Sequence, residues 1–433
     1  MRRGISIGTV ALALVAATSS TSIAAPSRGG EEFAPVCSHA LPAGVAGCHA
    51  IQLLNPSANW HGMHTPGADP AAGSAGKGSG GKRPGGGGEP AFSGYFPAEL
   101  QTAYGLAEAS AQKGAGQTVA IVDAYDDPNA EADLAAYRSR FGLPECTTAN
   151  GCFSKVDQAG ESTNYPTGNT SWSQEISLDL DMVSAICPHC RILLVEANSA
   201  SFGDLGAAEE VAVKNANAVS NSYGGSEFSS ETSYDAYYDH PGVAITVSSG
   251  DSGYGAEYPA ASPFVTAVGG TTLNKTTNGF SQTVWSGSGA GCSAVEPNPG
   301  WQPLTSLCAN RTVADTSADA NPNTGVAVYD TYGESGWLVF GGTSVASPIV
   351  ASVYALAENT LGFSGNAAQG LYGDASLHQI REGTDLNPRR CGADYLCSAK
   401  YSLTKWNGPV TSEVTGWYNG PTGNGTPNGV AGF

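Results

Sequence analysis

Charge is scarce in this chain, and positive charge scarcest of all. Asp, Glu, Lys and Arg make up 13% of the 433 residues, with 19 Lys and Arg against 38 Asp and Glu and a formal net charge of −19. A surface of that sign repels phosphate backbones and anionic headgroups, which excludes nucleic acid and membrane surfaces as partners. So few basic residues also limit the positive charge gained as carboxylates are neutralised, and an acidic medium costs little self-repulsion. Beyond the N-terminus there is no apolar run of about 18 residues, the length a membrane span needs. No internal repeat is evident. Histidine is sparse as well, with 7 in the whole chain.

What is present begins with an export signal. Arg2 and Arg3 form a basic start, residues 5–17 an apolar run, and Ser22-Ile23-Ala24 a small-residue cleavage site. Residues 1–24 are therefore expected to be a signal peptide, and the protein to be secreted and extracellular. Ten cysteines fit an oxidising compartment. They lie in close pairs, Cys37/Cys48, Cys146/Cys152, Cys187/Cys190, Cys292/Cys308 and Cys391/Cys397, and local bridging within each is expected. Residues 25–91 read as a short Gly/Pro-rich N-terminal region or linker, in which only 37–54 could form a small disulfide-clipped knot. His61-Gly62-Met63-His64 falls in this region with no helical pattern to hold it, and reads as neither catalytic nor metal-binding.

Residues 92–433 read as one α/β domain. Apolar strands are expected over 118–122, 191–195, 219–222, 243–247 and 265–268, with helical patterns over 130–141, 173–186 and 203–215 between them. Near-continuous apolar strands alternating with helices imply a parallel central sheet with helices on both faces. Ligands of such sheets bind beyond the carboxyl ends of the strands. Asp123, Ser222 and the Gly250-Asp251-Ser252-Gly253 turn all fall there.

Gly341-Gly342-Thr343-Ser344-Val345-Ala346-Ser347-Pro348 reads as a turn with a serine at its tip. A long apolar helix follows, starting near Ser344 with Pro348 in its first turn. The glycines let a substrate backbone come close, and the helix N-terminus offers donors for an oxyanion. A plain capping serine has the same signature. A serine nucleophile needs a base, and the 173–186 pattern contains no histidine. It offers Glu175 and Asp179, four apart on one helical face, where two carboxyls can share a proton. Asp181 lies roughly 240° round from Glu175 and points elsewhere. A solvated acidic face would look alike. Asp251 is either a turn residue or, when protonated, a donor to a tetrahedral oxyanion.

Glu175-Ile176-Ser177-Leu178-Asp179, Ser249-Gly250-Asp251-Ser252-Gly253 and Gly342-Thr343-Ser344 with Pro348, in that order, resemble the sedolisin family of serine-carboxyl peptidases. The flanking Tyr258-Pro259-Ala260-Ala261-Ser262-Pro263 and the closing 421–429 match as well, so the resemblance spans 95–433. It implies a subtilisin-like fold and an acid-acting endopeptidase on protein or peptide substrates, here expected to be monomeric. Ser344 would be the nucleophile, Glu175 the general base, Asp179 its orienting partner and Asp251 the oxyanion donor. Asp123 would lie behind the base. Ser222, Tyr223, Gly224 and Gly225 match the edge that aligns substrate backbone. The pH optimum is expected on the order of pH 3–5, from carboxyl pKa values near their reference range. Two features depart from the pattern: the region before the domain is short for a folded activation domain, and Gln379 and Asn419 replace aspartates of the family's calcium site. No metal or other cofactor is therefore expected. Two alternatives stay open, an inactive binding module on the same scaffold and a serine hydrolase that brings His189, His240 or His378 within about 3.5 Å of Ser344.

Overall fold

The strand Thr118–Ala124 is buried from Val119 onward, with both of its faces covered. In the computed structural model, which describes residues 31–55, 93–303, 307–358, 365–386, 388–407 and 413–433, this strand lies inside the main sheet. The expected signal peptide and the His61/His64 stretch lie outside the described residues. Thr118–Ala124 pairs in parallel with Arg191–Ala197 on one side and Ala218–Asn221 on the other. Parallel pairing continues to Phe153–Asp157 at one edge, and through Ala244–Ser248 to Thr266–Thr276 towards the other. Gly279–Val284 returns antiparallel on Thr266–Thr276, and Thr316–Asp319 also joins that strand.

Alternation along the strands sends side chains to two cores. Val119 and Ile121 pack with helices Thr170–Ile186 and Thr343–Ala357. Ala120 and Val122 pack on the opposite face with Phe202–Ala212. The architecture is thus α/β, a mostly parallel sheet with helices on both faces. Thr343–Ala357 is buried along its whole length, as an all-round apolar helix must be. It starts at Thr343, so Pro348 stands inside the helix and not in its first turn. The Ser344 carbonyl therefore loses its helical donor, and the Ser222 hydroxyl lies 3.4 Å from it instead. Thr170–Ile186 starts earlier than its apolar pattern, because the Asn169 side chain caps the N–H groups of Ser171 and Trp172 at 3.0 and 3.1 Å.

Part of the region set apart in the sequence is woven into the body. Phe33–Pro35 pairs with Ile51–Leu53, and that strand pairs antiparallel with Gly336–Gly341. Gly47–Cys48 pairs antiparallel with Tyr223–Ser226. Extended chain of this kind satisfies open strand edges, which its glycine- and proline-poor 45–53 run allows. All five local disulfides are formed, and no cysteine among the described residues is free. No helix among the described residues is long and apolar enough to cross a membrane.

Candidate active site

Three neighbouring parallel strands deliver three of the residues singled out above. Asp123 closes Thr118–Ala124, Ser222 follows Ala218–Asn221, and Asp251 lies in the turn after Ala244–Ser248. Ser344 enters from the far side, second in its helix. Gly342 makes the sharp entry with φ +96°, and the point a Cβ would take is 2.7 Å from Asp251 Oδ2, so no other residue fits. The Ser344 hydroxyl donates to the Ser222 carbonyl at 3.2 Å.

Helix Thr170–Ile186 packs on the serine helix and brings Glu175 and Asp179 to the same place. Both are fully buried. Burial pushes the Glu175 carboxyl well above its ordinary pKa, and Asp179 pushes it further; the Ser344 hydroxyl and the Ala50 N–H pull it back. Neither Glu175 oxygen yet closes a hydrogen bond of ordinary geometry, a looseness usual in catalytic pairs before reaction. Burial also raises Asp179, against which the Ser222 hydroxyl donates at 2.8 Å. Asp123 completes the group, raised by burial and then by Asp179 and Glu175, with neither oxygen partnered. Buried carboxyls so arranged hold protons between them, because adjacent desolvated charges are too costly. Asp181 turns away and accepts the Tyr329 N–H at 2.9 Å.

Asp251 lies at the entry to the serine helix. Its Oδ1 accepts both the N–H and the hydroxyl of Thr343, at 2.7 and 2.8 Å. Its Oδ2 is buried and unpartnered. Burial lifts its pKa to about 7, against opposition from His49 and Thr343. Below that pH the carboxyl is neutral, and because Oδ1 is already an acceptor, Oδ2 is the oxygen left to carry the proton and donate it.

Tyr223, Gly224 and Gly225 form a strand edge beside the serine, paired with Gly47–Cys48 and Glu257–Tyr258. The Tyr223 ring turns into the interior, where its hydroxyl donates to Asn221 Oδ1 at 2.7 Å. Sequence reasoning missed the Thr343 grip on Asp251, and missed Ser248 and Glu257. Above all it missed that residues 45–53 lie across the cleft. The only hint was the disulfide-closed spacing of Cys37 and Cys48.

Of the histidines named as alternatives, His240 has a side-chain partner of its own. His240 Nε2 meets Glu210 at 3.3 Å, and the His378 backbone pairs with Thr426. The residues at the family's calcium position do not fit that ion. The Ile380 carbonyl receives Trp417 Nε1 at 3.1 Å and Asn419 Nδ2 at 3.4 Å. Asn419 Oδ1 accepts Thr422 N–H at 3.1 Å, and Gln379 Oε1 accepts Arg381 at 2.7 Å. These are N–H donors and occupied amides, not the oxygen cage calcium requires. A separate acidic group, Asp127, Asp133 and Asp330, has carboxylate oxygens within 4.8 Å of one another and could hold a cation.

Fold and site together define a class, the subtilisin-like α/β proteins whose serine is faced by carboxyls. Kumamolisin of Bacillus sp. (strain MN-32) is 30% identical over 308 residues, 62% of this chain and 53% of that protein. Sedolisin of Pseudomonas sp. (strain 101) is 29% identical over 315 residues, 62% of this chain and 52% of that protein. The structure of Pseudomonas sedolisin, a serine-carboxyl proteinase complexed with two molecules of pseudo-iodotyrostatin, superposes with a TM-score of 0.62 at 25% identity, covering 78% of this chain and 96% of that one. No family model matches. In sequence and in fold the chain is similar to these sedolisin-type proteins. It spans about half the length of the curated relatives it matches.

Proposed function

We propose that the chain is a secreted, acid-acting serine-carboxyl endopeptidase. One observation carries the reading: Ser344, Glu175, Asp179 and Asp251 meet at the strand ends with a stretch of peptide laid across them. In this reading Ser344 Oγ attacks the carbonyl carbon of the scissile bond and passes its proton to Glu175. Asp179, held by Ser222, raises the basicity of Glu175 and so supports its uptake of the proton, and Asp123 extends the proton-sharing group behind it. Asp251 donates from Oδ2 to the developing oxyanion, as a neutral carboxyl can. Glu175 then delivers the proton to the leaving nitrogen, and water resolves the acyl-enzyme with the same residues in reverse. The Tyr223–Ser226 edge aligns the substrate backbone by strand addition. Calcium at Gln379 and Asn419 has no part.

The test is hydrolysis of denatured casein near pH 4 by the chain and its Ser344→Ala variant. The expected loss is about 10³-fold or more; a variant that keeps the wild-type rate overturns the assignment. Against a histidine base, His240 is held by Glu210.

A further inference from the structure

The peptide across the cleft is the chain's own, and it is seated with a definite register. Gly47 and Cys48 lie opposite Gly224 and Tyr223 in an antiparallel ladder. The His49 N–H then donates to the Ser222 carbonyl at 3.1 Å, the same carbonyl that receives the Ser344 hydroxyl. The His49 carbonyl oxygen lies 1.8 Å from the point a Gly342 Cβ would occupy, beside Asp251 Oδ2 at 2.7 Å from that point. The next N–H, that of Ala50, faces Glu175. Beyond it, Ile51–Leu53 runs along Gly336–Gly341. A carbonyl beside the proton donor and the next amide nitrogen facing the base, on a segment held by the same carbonyl that receives the nucleophile's hydroxyl, is the pose of a bond about to be cut.

The side chain of His49 fills a hollow shaped to it. Nδ1 lies 2.7 Å from Ser248 Oγ, and Nε2 lies 3.0 Å from Glu257 Oε2. Two walls are glycine by necessity of space. A Cβ on Gly224 would stand 2.7 Å from the His49 ring at Cε1, and one on Gly250 would stand 2.8 Å from Glu257 Oε1. A ring with a nitrogen on each side satisfies both Ser248 and Glu257. A leucine would fill the space and leave a buried hydroxyl and a carboxylate unpaired, which sites of this kind reject.

We propose that the hollow formed by Ser248, Glu257, Gly224 and Gly250 is a selectivity pocket for histidine on the acyl side of the cleaved bond, and that His49–Ala50 is the chain's built-in substrate. The inference rests on the peptidase reading above. Ser344 Oγ bonds to the His49 carbonyl carbon, and the bond from that carbon to the Ala50 nitrogen breaks. The serine proton goes through Glu175 to the new Ala50 amine, and water releases His49 as a carboxylate. Cys37 and Cys48 are both on the departing side, so their disulfide leaves with it and does not tether it. The product begins at Ala50, with Ile51–Leu53 still paired to Gly336–Gly341.

The experiment uses the full chain at pH 4, with N-terminal sequencing and intact mass over time, then a pair of peptides, Gly-Ala-His-Ala-Ile-Gln and Gly-Ala-Leu-Ala-Ile-Gln. A new terminus at Ala50, absent in Ser344→Ala, is expected. The His peptide should show kcat/KM at least about 10-fold above the Leu peptide, by the loss of paired buried groups, and Glu257→Gln should shrink that ratio several-fold. His49→Leu, which alters only the occupant, should slow the appearance of the Ala50 terminus by a similar factor. Equal rates on both peptides, or trimming only at other bonds, overturn the pocket while casein hydrolysis leaves the peptidase reading standing. No cleavage of either peptide or of casein overturns both.

Discussion

Ser222 donates its hydroxyl to Asp179 at 2.8 Å, and this links the strand edge that would hold substrate to the carboxyl that would tune the base. The bond favours the charged form of Asp179, because the hydroxyl pulls down a pKa that burial raises. Removing it in Ser222→Ala raises the Asp179 pKa, so a higher pH is needed before Asp179 can support proton uptake by Glu175. The predicted result is a fall in kcat of roughly 10-fold, with the acid limb of the pH–rate profile moved upward. Ser222→Thr, which keeps a hydroxyl, should restore most of the rate. An unchanged acid limb in the alanine variant would show that the bond is only structural.

The two catalytic carboxyls of the proposal should fail in different ways. Glu175→Gln removes the proton acceptor and should cost about 10²–10⁴ in kcat at every pH. Asp251→Asn keeps a donor and should cost less. In the wild type, activity falls as pH rises through about 7, because ionised Asp251 then faces the oxyanion with a negative charge. That limb should vanish in Asp251→Asn. Asp181→Asn should leave the profile as it was, since its carboxyl is spent on the Tyr329 N–H.

The parallel sheet and the acidic pair were legible because each depends on local pattern. Five apolar strands alternate with helices, and Glu175 and Asp179 share a face by helix geometry alone. Pro348 was misplaced by part of a turn, since the sharp entry at Gly342 lets the helix start on Thr343 rather than at a later cap. What could not be read was long-range: that Thr343 would clamp Asp251, or that residues 47–53 would add strands to two edges nearly 180 and 290 positions away. Such pairing depends on which edges the fold leaves open, and periodicity carries no record of that. Asp127, Asp133 and Asp330 likewise meet only through the packing of three separate elements.

Stability should decline toward alkaline pH. Burial raises Glu196 to about 9, Glu209 to about 8, Asp385 to about 8, and Asp127 and Asp330 to about 7. A carboxyl whose folded pKa exceeds its unfolded value contributes its stability fully below the unfolded pKa and loses it as pH climbs through the folded one. For these groups the window opens near pH 4 and closes near pH 9. Glu257, lowered by His49 against the effect of burial, and Glu210, lowered by Lys214, act in the opposite sense, two groups against many. Calorimetric melting at pH 4 and pH 8 should show a drop of roughly 5–10 °C or more, on the scale of a few kcal/mol. A higher melting temperature at pH 8 would contradict the protonated state of this buried set.

Metal removal separates the two places where a cation has been considered. At Gln379 and Asn419 the Ile380 carbonyl already receives two N–H donors, so a cation there would displace hydrogen bonds without gaining a carboxylate. At Asp127, Asp133 and Asp330 the chemistry is better but pH decides. Asp127 and Asp330 titrate near 7, and Thr331 already donates its N–H and hydroxyl to Asp133 at 2.8 Å each. Near pH 4 two of the three carboxyls are then neutral, and a hard dication has little charge to bind. The predicted outcome is a melting temperature at pH 4 unmoved by chelator, and no stoichiometric calcium in elemental analysis of protein prepared at that pH. At pH 8, added calcium should raise the melting temperature, and Asp330→Asn should abolish that rise. A chelator-sensitive melt at pH 4 that Asp330→Asn leaves intact would return the site to the C-terminal loops.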